Sequence, residues 1–277
     1  MAIGRAAFAR PIEITTASKD VVFNSSAQSI AIGTYGCIST LLYEFKAHMT
    51  AASISGATAY VETTPGHSFY GRVRIGGASN FLITWTDPLL ASLLGFGSGA
   101  LSGSNLYTGI TKCPGVWISQ YTPSDRDTWA LDMKSNYAGQ LSRTGELCGA
   151  ATGPDVYFRT LRFDGEPAAN VFRSLCGTDD FTLETFLVNA RTSVPTLSTN
   201  PATKGFYYYY DAADITTRLA SMTSGTVYDW GNASKYIWCY PDERGLDPPR
   251  ASHGVTRGYY GFDIRLHTGT APTWSAP

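Results

Sequence analysis

Between Ser79 and Phe96 the chain reads Ser-Asn-Phe-Leu-Ile-Thr-Trp-Thr-Asp-Pro-Leu-Leu-Ala-Ser-Leu-Leu-Gly-Phe, a run that leaves few choices for the local fold. Phe81, Ile83 and Trp85 fall on one side of a period-two pattern, as in a strand with a buried face. Pro88 stops that strand and suits the first turn of a helix, with Asp87 as a candidate cap. Leu89 to Leu94 then form one short helix. Gly95 fits the left-handed position past its end, from which Phe96 folds back onto the last turn.

The residues upstream repeat this grammar of short elements. Residues 12–15 alternate. Residues 20–24 and 29–32 read as a hairpin about a polar turn, and the Gly-Thr-Tyr-Gly at 33–36 breaks the sheet. From Cys37 the period changes. Ile38, Leu41, Leu42, Phe45 and Met49 recur at helical spacing, which predicts a one-faced helix through about Met49. Residues 58–62 and 69–75 read as strands, 64–67 as a turn, and Gly76-Gly77 as a second turn into Phe81. Ile38, Leu41, Leu42, Phe45, Phe81, Ile83, Trp85, Leu90, Leu94 and Phe96 are thereby expected to pack one scaffold.

Residues 97–112 are rich in Gly, Ser and Thr, and 101–112 read as a linker. Strand character resumes at 114–121 and returns at 156–163, 206–210, 236–240 and 259–266. A short helix is expected near 168–172 and another turn or two within 211–222, while 181–190 fit helix or strand equally. Residues 241–254 read as a long loop and 268–277 as an extended tail. The fold class this predicts is α+β and β-rich. A small N-terminal sheet packed by two short helices fills residues 1–100, and a larger β-sandwich or barrel-like domain fills 113–277.

Composition narrows the function. Charged residues are 16% of the chain, against roughly 25% in an ordinary soluble domain. That deficit points to a surface covered by partners, with a Ser/Thr/Gly-covered β surface as the plainer reading. Seven Lys/Arg and five Asp/Glu precede Cys113, and fourteen and seventeen follow. Neither part has the basic excess of a phosphate-backbone binder, so DNA contact is non-specific at most. Five widely spaced cysteines match neither a metal pattern nor a secreted disulfide framework, and read as buried thiols of a protein made in a reducing compartment. No run has the length of a membrane span or a signal peptide, so no membrane insertion is expected.

Motifs for catalysis are missing: no GxGxxG, no GxxxxGK[ST], no HExxH and no GxSxG occurs. His48, His67, His253 and His267 are isolated, and no metal or cofactor is expected. The acidic pairs Asp125/Asp127, Asp179/Asp180 and Asp242/Glu243 read as solvated loops or intersubunit salt bridges rather than a glycosidase dyad. Glu166, beside Pro167, carries no signal of its own. The chain reads as no enzyme.

The strongest binding feature is aromatic. In a strand Tyr207 and Tyr209 face one way, and Phe206, Tyr208 and Tyr210 the other. With Trp230 and Trp238 nearby and Arg257 and Arg265 later, these rings are interface candidates for a protein partner, or for a glycan. A thick β core with both faces buried accounts for the same run.

The N-terminal hairpin, the Ile-Ala-Ile-Gly-Thr-Tyr at 30–35 leading into a helix, the strand Phe81 to Trp85 and the Ser-Leu-Leu-Gly-Phe at 92–96 together resemble a module of tailed-bacteriophage virion proteins. The resemblance covers residues 20–96. It implies a structural protein of the tail, baseplate or neck, made and assembled in the host cytoplasm and resident in the virion. It also implies a homo-oligomer, such as a ring beside the DNA conduit, in contact with other virion proteins. A capsid decoration or neck protein, and a tail module binding a host-surface glycan, are the alternatives.

Overall fold

In the computed structural model, which describes residues 4–123, 132–134, 137–141, 147–151, 156–171, 182–191, 205–216, 235–246, 250–251 and 259–268, the chain forms a strand-rich α+β fold. Its first part runs β1 (Ala7–Ala9), β2 (Ile12–Ile14), β3 (Asp20–Phe23), β4 (Ser26–Ser29), β5 (Gly33–Tyr35), α1 (Ile38–Ala51), β6 (Thr58–Val61), β7 (Val73–Trp85), α2 (Pro88–Leu93) and β8 (Leu101–Thr108). There follow β9 (Val116–Ile118), β10 (Asp132–Lys134), β11 (Tyr137–Leu141), β12 (Leu147–Ala151), β13 (Val156–Pro167), α3 (Ala168–Val171) and α4 (Leu183–Arg191). The last are β14 (Phe206–Tyr209), a 3-10 turn (Ala212–Thr216), β15 (Tyr236–Leu246), β16 (Arg250–Ala251) and β17 (Tyr259–Thr268).

Strands β4-β3-β7-β6 form one antiparallel sheet, with β8 also paired to β7. Helix α1 buries Ile38, Leu41, Leu42, Phe45 and Met49, the face its spacing predicts. Phe45 meets Phe23 of β3 edge-on at 5.2 Å and stacks on Trp85 of β7 at 6.1 Å. Helix α2 ends as its residues dictate. The Gly95 N–H donates to Ser92 O and the Phe96 N–H to Ala91 O, with Gly95 at φ +77. Phe96 then lies 5.5 Å from the Trp85 ring. Asp87 does not cap the helix with its side chain. Its Oδ2 accepts from the N–H groups of Lys19 and Asp20 at 3.0 and 2.8 Å, tying α2 to the start of β3.

Several elements differ from the sequence reading. Gly76 and Gly77 make no turn: β7 runs through them for 13 residues. A Cβ at Gly76 would lie 2.8 Å from Thr58 Oγ1 and 3.1 Å from Leu106 Cδ1, so glycine is there because neighbouring strands press close. Residues 101–112 are not a linker. Their first eight residues are β8, whose pairing with β7 shifts register between Gly76 and Phe81. The hairpin's second strand comes earlier than expected, across a turn at Asn24, which adopts φ 53. Gly33–Tyr35, read as a break, pairs with β2. The loop expected at 241–254 is partly strand, since β15 continues to Leu246 and β16 pairs with β17.

The larger sheet has the order β10-β13-β17-β15-β14-β1-β9, with β16 on β17, and curves like half a barrel. Its β1 comes from the first ten residues, between β14 and β9. The N-terminal segment is therefore built into the large sheet, and a division near residue 100 does not separate the two regions. Both faces of β1, β14 and the start of β15 are covered. Ala7, Ala9, Tyr207, Tyr209 and Trp238 join a core shared with α1, β3 and β7. Phe8, Trp117, Phe206, Tyr208 and Ile237 join a second core with Phe186 and Leu187 of α4 and Val171 of α3.

Candidate functional site

The aromatic residues expected to face a partner lie inside the protein. Tyr207, Tyr209 and Trp238 are each 0% exposed. Tyr207 meets Trp238 at 4.8 Å and Tyr236 at 5.6 Å, and the Tyr209 hydroxyl donates to Cys37 Sγ. Alternation sends both faces of the strand into packed layers, so these rings belong to the core. Arg265 is half-buried on β17, opposite Thr160. Trp230 and Arg257 lie outside the described residues. The ten scaffold residues from Ile38 to Phe96 are all buried in one cluster.

A site that the sequence did not reveal sits where the two sheets meet. Between Asp164 and Glu166 the β13–β17 register shifts at Gly165, and this bulge re-aims the Glu166 side chain. Glu166 is 0% exposed. Its Oε1 accepts from the Tyr121 N–H at 2.9 Å, and its Oε2 from the Gln120 N–H at 3.1 Å and Asn170 Nδ2 at 2.9 Å. Asn170, one helical turn on, also donates to Ile118 O. Its own backbone oxygen accepts from Trp117 Nε1 at 2.9 Å, and its Oδ1 from Lys112 Nζ at 3.4 Å.

The N-terminal region grips the same segment from the other side. The Tyr70 hydroxyl donates to Ser119 O and accepts from Arg5 Nη1. The Ser119 N–H donates to Ala6 O, and the Cys113 N–H to Gly71 O. Residues 112–121 are thus stapled by β1, by the turn before β7 and by the β13–α3 corner. Burial raises the Glu166 pKa, although the Tyr121 and Gln120 N–H groups, Asn170 and Lys112 oppose the rise. Burial likewise pushes the Tyr70 hydroxyl up. A carboxyl enclosed by these donors ties the β13–α3 corner to the segment that follows β9.

Among the described residues, the outer side of the N-terminal sheet carries a grouped set of aromatic and charged side chains. Tyr60, Arg74 and Thr108 lie in one cross-strand row, with Gly76 and Leu106 paired two residues along. The Arg74 guanidinium lies 5.8 Å from the Phe69 ring centroid and 6.0 Å from that of Tyr60, and pairs with Glu62 at 3.0 Å. Burial works against the Glu62 charge, but the Thr64 hydroxyl and N–H, Arg74 and the charge of His67 outweigh it and bring its pKa down to about 2. Phe69, Leu106 and Ile110 are exposed. This face combines apolar area with a fixed cation, as partner-binding surfaces do.

The remaining candidates are scattered. His48 meets Gln28 and Glu44, and His67 accepts from the Phe69 N–H. Asp125, Asp127, Asp179, Asp180 and His253 lie outside the described residues. Among the described residues no group of three or more His, Cys, Asp or Glu is placed to hold a metal ion, and no helix is long and apolar enough to cross a membrane. Cys37, Cys113 and Cys239 are buried free thiols, with Cys113 pushed up by burial and so held as the unreactive thiol. No family model, curated protein or solved structure matches the chain.

Proposed function

We propose that the chain is a non-enzymatic structural subunit of a tailed-bacteriophage tail, in a tube, baseplate or connector ring, that assembles with further copies of itself. One observation carries this reading. Strands β11 and β12 pair with each other in register from Tyr137↔Ala151 to Leu141↔Leu147, and with no third strand among the described residues. Neither strand contains a charged residue. A two-stranded hairpin is marginal in water until a third strand or a packing surface completes it. In a symmetric assembly a neighbouring copy supplies that surface.

Low total charge and the resemblance of residues 20–96 to virion modules support the same conclusion. On this reading the N-terminal sheet, sealed by α1 and α2, is the scaffold, and the curved sheet is a barrel-like wall. The bonds from Tyr70 to Ser119 O and from the Cys113 N–H to Gly71 O hold the two together under assembly forces. DNA passing alongside is not gripped, because neither part of the chain has a basic excess. A capsid decoration or neck protein uses the same parts elsewhere in the virion. The glycan-binding alternative loses its anchors, since Tyr207 and Tyr209 are buried.

Replacing residues 137–151 by a short Gly-Ser linker tests the reading. The replaced protein is expected to keep a cooperative unfolding transition while sedimenting as a monomer where the wild type sediments as an oligomer. A replaced protein that assembles like the wild type would count against the proposal.

A further inference from the structure

Arg10 stands at the point where β1 ends and Pro11 turns the chain toward β2. Its N–H donates to Gly115 O at 2.8 Å, which continues the β1–β9 pairing by one residue. Alternation puts its side chain on the side of Phe8, the face that also carries Trp117 and Phe206. Gly115 opposite has φ +80, and a Cβ there would lie 3.7 Å from Arg10 Cβ. Among the described residues β9 is the terminal strand of its sheet, so Arg10 lies one strand in from that edge.

The side chain is 2% exposed, yet neither Nε nor Nη1 meets an acceptor. Among the described residues no carboxylate forms a salt bridge with it. Burial lowers its pKa to about 10, still well above neutrality, so the group stays charged. A buried charge without a counter-ion is among the costliest arrangements a fold can keep, and arginine does not escape it by losing a proton. Replacement by an apolar side chain of similar length would remove the cost at once. The two unpartnered nitrogens of this planar cation carry three N–H donors, which an oxyanion matches.

We propose that Arg10 is the receptor for an oxyanion supplied from outside the described fold, either a free phosphate-like ion or a carboxylate of a second copy of the chain. The two sources share one chemistry, charge-assisted N–H donation to paired oxygens. The inference stands apart from the assembly reading, because a free ion satisfies Arg10 in a monomer as well.

Thermal unfolding of the wild type and Arg10→Met tests it, in inorganic phosphate balanced with sodium chloride to constant ionic strength and at several protein concentrations. The general salting effect of phosphate acts on both proteins alike. With a free ion as the source, the wild-type Tm rises saturably, by about 3 °C at ten times the dissociation constant, and Arg10→Met lacks that rise. With a second copy as the source, the wild-type Tm ignores phosphate but rises with protein concentration, and Arg10→Met loses that dependence. Identical responses of the two proteins in both series overturn the proposal. Should Arg10→Met fail to fold, the arginine Nε–H resonances of the wild type decide. A shift of one of them with phosphate or with protein concentration supports the site, and no shift in either series overturns it.

Discussion

Glu166→Ala is expected to lower the free energy of unfolding by about 3–5 kcal/mol, read from equilibrium denaturation. The substitution removes the acceptor of the Gln120 and Tyr121 N–H groups and one acceptor of Asn170 Nδ2. These donors lie at the corner where both sheets hold residues 112–121, and a buried donor left unpaired forfeits its full desolvation cost. The pH dependence has a definite sign. Because burial raises the Glu166 pKa, the native protein retains a proton at pH values where the unfolded chain, with its carboxyl near about 4.3, has released it. Unfolding then releases a proton, so this group's contribution to stability falls as pH rises from about 4.3 through the raised native value. Glu166→Gln removes that fall. Parallel pH profiles for the wild type and Glu166→Gln would show that the carboxyl is not held as described.

Phe8→Ala is expected to cost about 3–5 kcal/mol in the same measurement. Phe8 is fully buried, with its ring centroid 4.9 Å from Phe206, 5.1 Å from Trp117, 5.7 Å from Tyr208 and 5.9 Å from Phe186. No other strand could fill the cavity, since β1 is fixed between β14 and β9 by backbone pairing on both sides. Ile110→Ala, at a residue 65% exposed, is expected to stay within about 0.5 kcal/mol of the wild type. A Phe8→Ala cost no larger than that of Ile110→Ala would mean that β1 is not packed between β14 and β9 as described.

Local rules made the N-terminal region readable. The i, i+3, i+4 spacing from Ile38 to Met49 and the Pro88–Gly95 punctuation are complete within a few residues, and both helices follow from them. What failed depends on partners far along the chain. Gly76 and Gly77 look like a turn until β6 and β8 are laid beside them. The Gly/Ser-rich stretch at 101–108 has weak strand propensity, and its place in the sheet comes from pairing with β7. Ala7–Ala9 shows no alternation because both of its faces are buried.

The candidate sites followed the same division. Tyr207 and Tyr209 were conspicuous in the sequence as interface candidates, but a strand buried on both faces demands aromatic residues on both sides. Glu166 has no catalytic or metal motif around it in the sequence. Its role arises from a bulge and from donors about forty-five residues earlier, at Gln120 and Tyr121. A glutamate just ahead of a proline and a short Ala-Ala-Asn helix, in a chain with few charges, was the sole local trace.

Self-assembly is the claim on which the functional reading rests, and sedimentation velocity of the purified wild-type protein, with electron microscopy of the sedimenting species, addresses it most directly. The account predicts a discrete oligomer that grows in with protein concentration and images as closed, symmetric particles. A single monomeric boundary at every concentration, with no symmetric particles on the grid, would contradict it.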